Sequence, residues 1–559
     1  MDQTNSITRR EALAVSAAMA GGLALSPSAV PLAAAQEVTT QQAAGLVYDS
    51  SRDDRVGISG VMISNGTDVT TTDTAGRWSL PVADGQSLFV IKPRGWALPR
   101  DARTALPRYA YVHMPTGTPA DLALRYEGVA PTGPLPASVD FGLMPAPEAD
   151  AFTALLFTDP QPESAAEVGY IRDDVVALAQ GTDAAFGVTT GDLMFDDLSF
   201  YGRYNDIIAT IGLPWFNCPG NHDMNFDVPD DTHSRDTFIR TFGARDMAFQ
   251  HGAATFFVLD NVEYLGADPA RPNGIGRYRG RFRDHQLQFI RNVLSRVPTD
   301  TLVVFFFHIP LRTLAGSEPF NQTVNAEAFL NAISSHPHSY SFCGHTHTQE
   351  HWYLDAAHGF TGGVHHHQVL AAVSGSWWSG PLDERGIPIA LQVDGAPNGY
   401  HVLSVDGTEV RTRFVAARDP NRGHLRLCLA PSYHGNAPEV LRAYRPGELL
   451  TGPISRAAVS STAVIANFFV GGPRSRITLA VDGEAPVPMR KVEEVDPFVV
   501  EVYARNEATK KPWVQPARSS HLWRAALPSA LSPGAHRLDV RAEDEFGGQH
   551  SAFMILEVQ

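Results

Sequence analysis

Cysteine is scarce in this sequence, with three residues among 559. A small, odd number of cysteines argues against a scaffold held together by disulfides. Cys218 and Cys343 fall in or beside apolar segments just before polar motifs, which favours a packing role for their thiols over metal ligation. The sequence therefore predicts neither a disulfide framework nor a thiol nucleophile.

An excess of positive charge is also missing, because 44 Lys and Arg residues face 60 Asp and Glu residues, for a formal net charge of −16. Neutralising nucleic-acid phosphates requires a basic surface, so nonspecific nucleic-acid binding is not expected. Internal repeats, heptads and long low-complexity tracts are absent as well. The length and the 43% hydrophobic content suffice for several cores, which predicts three or four structural units.

The N-terminus lacks an apolar run long enough to cross a membrane and remain there. Residues 8–13 carry the pair Arg9 and Arg10, an Ala- and Gly-rich segment follows to about Leu25, and small residues at 33–35 precede Gln36. This order is typical of a twin-arginine export signal. Residues 1–35 are predicted to be that signal, without a cysteine for lipidation, and the mature protein to be periplasmic or secreted.

Five short apolar runs in the middle of the chain each lead into a polar motif. Such runs, bounded by Gly, Pro and polar residues, are typical of strands buried on both faces. Any one polar residue is explained equally well as a strand cap, but six in the same relative position favour one common site. The runs are 151–157 before Asp159, 184–188 before Asp192, 213–216 before Asn221, 302–307 before His308, and 340–343 before His345 and His347.

Amphipathic segments alternate with these predicted strands. In 283–297 and in 165–180, apolar residues recur at steps of three and four, as on one face of a helix. Strands alternating with helices predict a layered α/β fold, and ligand sites in such folds lie beyond the strand ends. We therefore expect a polar site along one edge of a sheet.

The motifs identify a family. Asp159-Pro160-Gln161, Gly191-Asp192, Gly220-Asn221-His222-Asp223, His308 and Gly344-His345-Thr346-His347 resemble, in order and spacing, the five motifs of calcineurin-like metallophosphoesterases. The resemblance covers roughly residues 150 to 375. It implies an α/β fold in which a layered β sandwich is flanked by helices.

The resemblance also implies roles for single residues. Two divalent metal ions, of Mn, Fe or Zn, would be held, and a hydroxide bound to them would attack phosphorus directly. His222 would stabilise the transition state or protonate the leaving oxygen, with Asp223 orienting its ring. The first ion would be bound by Asp159, Gln161, Asp192 and His347, and the second by Asp192, Asn221, His308 and His345.

Two features depart from the commonest family pattern. Gln161 stands where such families more often have histidine, and an amide oxygen is a weaker, harder ligand that favours Mn or Fe over Zn. The segment 191–196 has one additional residue before its second aspartate. Asp196 and Asp197 are then either groups that support the ligands or ordinary acids at a helix N-terminus.

The segment after the metal motifs resembles that of a bacterial exported subgroup with flanking β domains. His365, His366, His367, Trp377 and Trp378 belong to it. Either some of these rings line the substrate side of the cleft, or the tryptophans pack between domains and backbone carbonyls satisfy the histidines. A further metal site from His365 and His367 is a third interpretation.

The sequence predicts a β domain on each side of the segment that carries the metal motifs. Alternation around Asn65-Gly66 and 73–76 predicts hairpins, and residues 36–147 resemble carboxypeptidase-regulatory-like domains. Alternating runs such as 475–483 and 536–542 predict a second all-β domain. The predicted boundaries are therefore 36–147 for an N-terminal β sandwich, 148–375 for the phosphoesterase domain and 376–559 for a β-rich C-terminal domain.

The predicted function is an exported, dinuclear-metal phosphoesterase acting on a small-molecule or envelope phosphomonoester or phosphodiester, with the oligomeric state open. One alternative is a binding protein whose degenerate metal site recognises phosphate or glycan in the cell envelope, and another is a structural envelope protein. An intact Asn221, His222 and Asp223 favour the enzyme. Five further residues either contact phosphate or have packing and solvated roles: Tyr201, Tyr204, Arg279, Arg281 and Arg312.

Overall fold

The computed structural model describes residues 40–268, 276–418, 424–431 and 453–559. The predicted export signal at 1–35 lies outside these residues. No helix in the described ranges has the length and apolar character needed to span a membrane. The strands β1 to β29 and the helices α1 to α7 are numbered below in chain order.

The N-terminal region consists of two four-stranded sheets, in the orders β4-β1-β8-β6 and β3-β2-β5-β7. The turn predicted at Asn65-Gly66 joins β2 to β3, and the Asn65 side chain accepts hydrogen bonds from the N–H groups of Thr67 and Asp68. Both sheets contribute to one apolar core. The strands are β1 Thr40–Asp49, β2 Met62–Ser64, β3 Val69–Thr71, β4 Arg77–Ala83, β5 Gln86–Ile91, β6 Trp96–Ala97, β7 Ala110–His113 and β8 Phe141–Pro145.

The middle region is a sandwich of two sheets, in the orders β11-β10-β9-β20-β21 and β12-β13-β16-β17-β19-β18, beside the small pair β14-β15. Phe186 of one sheet meets Phe256 of the other with ring centroids 5.2 Å apart, so the core lies between the sheets. The strands are β9 Ala151–Phe157, β10 Phe186–Thr190, β11 Trp215–Cys218, β12 Met247–His251, β13 Ala254–Val258, β14 Val262–Tyr264, β15 Tyr278–Gly280, β16 Val303–Phe306, β17 Ser339–Cys343, β18 Glu350–Leu354, β19 His365–Val369, β20 Gly399–Asp406 and β21 Glu409–Ala416.

Helices cover the outer faces of this sandwich, as the α/β prediction requires. The segment predicted at 283–297 forms α5, whose Phe289 packs against Phe257 of β13 at 6.0 Å. The segment predicted at 165–180 is helical from Ala165 to Ala179, with a π-helical stretch at Ile171–Val176. The helices are α1 Ala165–Tyr170, α2 Ala177–Ala179, α3 Tyr201–Ala209, α4 Asp236–Phe242, α5 Asp284–Leu294, α6 Ala326–Ile333 and α7 Pro497–Arg505, with 3-10 turns at Ala120–Leu122, Leu198–Phe200, Ala356–His358 and Arg456–Ser461.

The sandwich extends beyond the boundary predicted at residue 375. β20 pairs antiparallel with β9 along its length, with His401 opposite Leu156, and β21 pairs with β20. Two strands that the sequence prediction assigned to the C-terminal domain therefore complete the five-stranded sheet of this sandwich. Their alternating pattern is the same in either sheet, because it records burial on one face and not the identity of the partner strand.

The C-terminal region is built from two four-stranded sheets, in the orders β22-β23-β27-β26 and β25-β24-β28-β29. Side chains from both sheets form a separate apolar core. Helix α7 begins at Pro497, where the Asp496 side chain accepts a hydrogen bond from the N–H of Phe498. The strands are β22 Leu425–Pro431, β23 Thr462–Phe468, β24 Arg476–Val481, β25 Val487–Pro488, β26 Arg490–Val492, β27 Leu522–Ala526, β28 Gly534–Glu543 and β29 Gln549–Val558.

Candidate metal centre

Five loops that follow parallel strands bring the predicted ligands together. β9, β10 and β11 run parallel in one sheet, and β16 and β17 run parallel in the other. The carboxyl ends of parallel strands lie at one edge of a sheet, so the loops that leave them can meet there. All seven predicted ligand positions lie in these loops: Asp159, Gln161, Asp192, Asn221, His308, His345 and His347.

Glycines in the motifs allow these loops to approach one another. A Cβ atom on Gly344 would lie 1.8 Å from Thr158 Oγ1 and 2.1 Å from Asp159 Oδ2. A Cβ atom on Gly220 would lie 2.0 Å from Asp192 Oδ1. These distances are far inside van der Waals contact. Gly220 and Gly344 are therefore required by the closeness of a neighbouring ligand loop.

The ligand loops are also strained. Non-glycine residues rarely adopt positive φ, and such conformations persist only where the surroundings enforce them. Backbone strain is typically concentrated at functional sites. Five of the seven predicted ligands have positive φ: Asp159 at 47°, Gln161 at 35°, Asp192 at 50°, His345 at 77° and His347 at 52°.

Backbone carbonyls fix the orientation of two imidazoles, of which His308 is buried and His345 is half-buried. His308 Nδ1 lies 3.0 Å from the carbonyl oxygen of Thr190, and His345 Nε2 lies 2.7 Å from that of Phe320. A carbonyl can only accept, so each of these nitrogens donates its hydrogen. In the neutral rings the opposite nitrogens, His308 Nε2 and His345 Nδ1, then carry lone pairs.

These lone pairs point at other acceptors. His308 Nε2 lies 3.2 Å from Asp192 Oδ2, 3.0 Å from Asn221 Oδ1 and 3.2 Å from His345 Nδ1. Within the described residues, one group of His, Cys, Asp or Glu brings at least three ligand atoms within 4.8 Å of one another, and it is Asp192, His308 and His345. Four converging acceptors are stable only around a proton or a cation. The predicted second site fits a metal ion.

The protonation of His308 supports the same conclusion. Burial lowers the pKa of its imidazole, but the charge of Asp192 outweighs burial and leaves that pKa raised to about 9. Burial and the neighbouring His308 lower the pKa of His345 to about 3. The cluster thus attracts one positive charge to its centre, and a divalent cation would take the place of the proton.

The predicted first site contains two buried acceptors without a partner. His347 Nδ1 bonds to the carbonyl oxygen of Gly375, which leaves Nε2 facing Asp159 Oδ1 at 3.6 Å. Gln161 donates from Nε2 to Asp192 Oδ2 at 2.7 Å. Within the described residues, His347 Nε2 and Gln161 Oε1 have no hydrogen-bond partner. Buried polar atoms are normally satisfied, so these atoms also fit a bound cation.

His222 lies between this cluster and a pocket on the protein surface. Its Nε2 is 4.0 Å from Asp192 Oδ2, and its Nδ1 is 2.6 Å from Asp196 Oδ1. Its ring stacks on Phe195 with centroids 4.7 Å apart. Burial lowers the pKa of His222, but the charges of Asp196 and Asp192 outweigh it and raise the pKa to about 10. The imidazole therefore holds a proton beside the cluster.

The residue that orients His222 differs from the sequence prediction. The sequence predicts that Asp223 bonds the ring, but the structure gives that contact to Asp196. The Asp223 carboxylate accepts hydrogen bonds from the backbone N–H groups of Gly220 at 2.9 Å and Leu193 at 3.0 Å. It thereby ties two ligand loops together. The sequence has one signal of this difference, the additional residue in 191–196, which changes the position of Asp196 in the loop relative to His222.

Trp377 and Trp378 support the ligand loops directly. The Trp377 ring stacks on His347 with centroids 3.9 Å apart. The indole N–H of Trp378 donates to the carbonyl oxygen of Pro160, between two predicted ligands, at 2.8 Å. Both tryptophans have positive φ, at 54° and 53°. Trp377 lines the surface pocket, whereas Trp378 is buried.

The three consecutive histidines lie in β19 and have protein partners. His365 lies between the hydroxyls of Ser339 and Ser341, at 2.8 and 2.7 Å. His367 Nδ1 bonds Ser341 Oγ at 2.7 Å, and its Nε2 accepts from the N–H of Leu311 at 3.1 Å. Serine hydroxyls, more than the expected backbone carbonyls, satisfy these rings. Both rings already have partners, which argues against a third metal site there.

Most of the remaining candidates have partners away from the cluster. Tyr204 bonds Thr189 at 3.0 Å, and Arg279 and Arg281 both pair with Glu263. Tyr201 is the exception, since its hydroxyl donates to Asp223 Oδ1 at 3.0 Å. Closeness to a motif in the sequence therefore does not distinguish a residue that contacts the ligand loops from one that only packs elsewhere in the fold.

Two protein families match the chain. The family described as calcineurin-like phosphoesterase matches residues 153–349, and the C terminal of calcineurin-like phosphoesterase matches residues 367–550. Among solved structures, the purple acid phosphatase PPD1 isolated from yellow lupin (Lupinus luteus) seeds is similar at 11% identity, over 68% of this chain and 72% of that chain, with a TM-score of 0.32. No curated protein matches the chain.

Proposed function

Because the chain belongs to the calcineurin-like phosphoesterases, we propose that it uses two divalent metal ions to hydrolyse a phosphomonoester or phosphodiester by direct attack of water. The family establishes a phosphate-ester hydrolase and indicates the use of divalent metal, and a small-molecule phosphoester substrate fits it. The single observation that carries the dinuclear proposal is the set of buried acceptors facing one another on both sides of Asp192.

Most of the site residues would bind cations, and one of them holds a proton. Two divalent ions would neutralise charge on the phosphate and activate the attacking water. Asp192 contacts both ligand sets through Oδ2, which supports a bridging role. His222 offers a proton beside that carboxylate, where a leaving oxygen would need one. A protein that only bound phosphate would have no use for an acid held in this way.

Turnover on matched esters tests the proposal. The full chain, loaded in turn with Mn, Fe or Zn, is assayed on a chromogenic phosphomonoester and the matching diester. We expect metal-dependent hydrolysis of at least one. His222→Ala should lower turnover about 10²- to 10⁴-fold with bound metal retained, and Asn221→Ala should lower metal affinity. The control is His358→Ala, because this half-buried histidine is paired with Asp355 away from the ligand loops. Full activity in both site variants would exclude the mechanism.

Gln161 supports a proposal about the identity of the metal. An amide oxygen is a harder ligand than imidazole, and it favours Mn or Fe over Zn in the first site. Gln161→His should therefore keep activity and shift the metal preference toward Zn. The measurement is activity against metal identity, with bound metal counted by elemental analysis. An unchanged preference would show that Gln161 is not a ligand.

We also propose that the protein is exported and meets its substrate outside the cytoplasm. Arg9, Arg10 and the apolar segment after them support this, and they lie outside the described residues. Fractionation should find the wild-type protein in the periplasm or medium. The variant Arg9→Lys with Arg10→Lys should accumulate in the cytoplasm. Equal export of both would exclude the twin-arginine route.

A further inference from the structure

A pocket of about 700 Å³ opens beside His222. A leaving group protonated by His222 would extend into this pocket, because the ring is part of its wall. Its lining is rich in aromatic side chains, with four residues from the two family regions of the chain and one from the N-terminal region. They are Tyr126, Phe195, Phe226, Trp377 and Trp513.

Three of the rings around the pocket form a parallel column. Phe195 lies over His222, with centroids 4.7 Å apart and planes 21° apart. Trp513 lies over Phe195 at 6.0 Å and 22°. The Lys511 ammonium lies 5.6 Å from both ring centroids and forms ion pairs with Glu163 and Glu167. The column thus begins at the acid and ends on a tryptophan of the C-terminal region.

Trp513 keeps an apolar surface available at the mouth of the pocket. It is 48% exposed, although it lies within the region that matches the C-terminal family. A large exposed aromatic ring beside a candidate site is typical of a binding surface. Trp377, strained at a φ of 54°, presents a second ring to the same pocket while it covers His347.

The charges around the pocket restrict what it accepts. Asp196 is committed to His222, and Asp227 accepts a hydrogen bond from the backbone N–H of Arg125 at 3.2 Å. Among the described residues, Arg125 is the single Lys or Arg lining the pocket. A leaving group with additional phosphates would be repelled here. The acidic lining residues are Glu163, Asp196, Asp197 and Asp227.

We propose that this pocket binds the planar ring of an aromatic or nucleoside alcohol esterified to one phosphate, with Trp513 as a specificity-determining residue. The inference rests on the proposed function. Water adds to phosphorus, the bond to the alcohol oxygen breaks, and that oxygen takes a proton. The products are a phosphate and the ring-bearing alcohol, whose ring stacks against the tryptophan.

Pairs of esters that differ in the planar ring but have similar leaving groups distinguish the effect of ring stacking from that of leaving-group chemistry. Benzyl phosphate and cyclohexylmethyl phosphate are both esters of primary alcohols of similar size, and only the first has a planar ring. Adenosine monophosphate and ribose 5-phosphate make the same comparison for a nucleoside. We expect kcat/KM to favour the ring-bearing member of at least one pair by about fivefold or more. The pair with the larger ratio identifies the source of the ring.

Substitutions then assign the preference to the tryptophan. Trp513→Leu should reduce the ratio of the two kcat/KM values within the pair toward one, and Trp513→Phe should keep part of the preference. The control Phe553→Leu, at an exposed aromatic residue of β29, should leave the ratio unchanged. Unfolding temperature and bound metal confirm that each variant is folded. A ratio near one in the wild type, or one that survives Trp513→Leu, overturns the inference.

A binding measurement distinguishes failure of this inference from failure of the proposed function. Benzylphosphonate and cyclohexylmethylphosphonate cannot be hydrolysed at the P–C bond, so calorimetry compares their affinities without turnover. Tighter binding of the benzyl compound, lost in Trp513→Leu, supports the ring pocket even if no ester is cleaved. Equal affinities with active hydrolysis would leave the phosphoesterase proposal standing and exclude the ring preference.

Discussion

The carboxylates of Asp196 and Asp223 have different partners within the same cluster of loops. Asp196 bonds the imidazole of His222, whereas Asp223 accepts from backbone N–H groups of two ligand loops. Burial raises the pKa of Asp223 to about 6, with the charge of Asp192 acting in the same direction. One carboxylate therefore positions an acid, and the other holds the loops in register.

Asp196→Asn should lower kcat without loss of metal. The variant removes the charge that holds the His222 imidazole in place, and replacing such an orienting partner costs about 10- to 100-fold. Bound metal, counted by elemental analysis, should stay at the wild-type level. Asp197→Asn is the matched control, since that carboxylate accepts from the N–H of Ser199 at 3.1 Å. Equal losses in both variants would contradict the assignment.

Gly344→Ala should lose bound metal. The new Cβ atom would collide with Thr158 and Asp159, and relief of the clash must move the loop that carries His345 and His347. The measurement is metal content after dialysis, together with the unfolding temperature. Gly202→Ala is the control, because that glycine lies in α3, where an added Cβ atom would have no described neighbour within 4 Å. Its helix should be unchanged or slightly more stable. Metal retention in Gly344→Ala would show that the loops are looser than the structure indicates.

At the scale of elements, the strands that carry ligands were predictable and the partner of β20 was not. Apolar runs ending at Asp159 or His308 specify buried strands, since no other element fits their length and flanks. The pairing of β20 with β9 joins residues about 250 positions apart. Strand pairing at that separation depends on the closed sandwich, so the local pattern of the sequence does not specify it. The choice of Asp196 over Asp223 has one local signal, the additional residue in 191–196.

A buried ion pair joins the N-terminal sheets to the catalytic sandwich. Lys92 Nζ lies 2.5 Å from Glu148 Oε1, with side chains 9% and 4% exposed. Glu148 Oε2 also accepts from the N–H of Gly252 at 3.0 Å. Burial raises the pKa of Glu148, but the hydrogen bonds and charges of His251 and Lys92 outweigh burial and lower the pKa to about 2.

Glu148→Gln should be destabilising at neutral pH and less so in acid. A lowered pKa stabilises the fold above the unfolded value of about 4.5, and this stability is lost as pH falls toward about 2. The difference in unfolding temperature between wild type and Glu148→Gln should therefore narrow between about pH 5 and pH 3. Asp150→Asn, in an exposed pair with Arg94, should change little at any pH. A difference in unfolding temperature that stays constant with pH would show that ionisation of Glu148 does not stabilise the fold.

At the scale of the whole molecule, the C-terminal region is part of the catalytic unit. The N–H of Val393 donates to the carbonyl oxygen of His347 at 3.3 Å, and the N–H of Gln349 donates to Asp394 Oδ2 at 2.6 Å. Asp394 in turn lies 2.8 Å from His521 Nε2, with both side chains fully buried. A ligand loop and the C-terminal sheets thus share one buried carboxylate.

Asp394→Ala should therefore lower both stability and metal retention. It leaves the N–H of Gln349 and Nε2 of His521 without their acceptor. Each buried polar group left unsatisfied costs about 1–3 kcal/mol. Because His347 is two residues from Gln349, the loop that holds it should loosen in the same variant. Unfolding temperature and metal content after dialysis measure the two effects, and Asp406→Ala, at an exposed end of β20, is the control. Loss of stability with full metal retention would mean that the C-terminal sheets brace the fold without positioning the ligand loop.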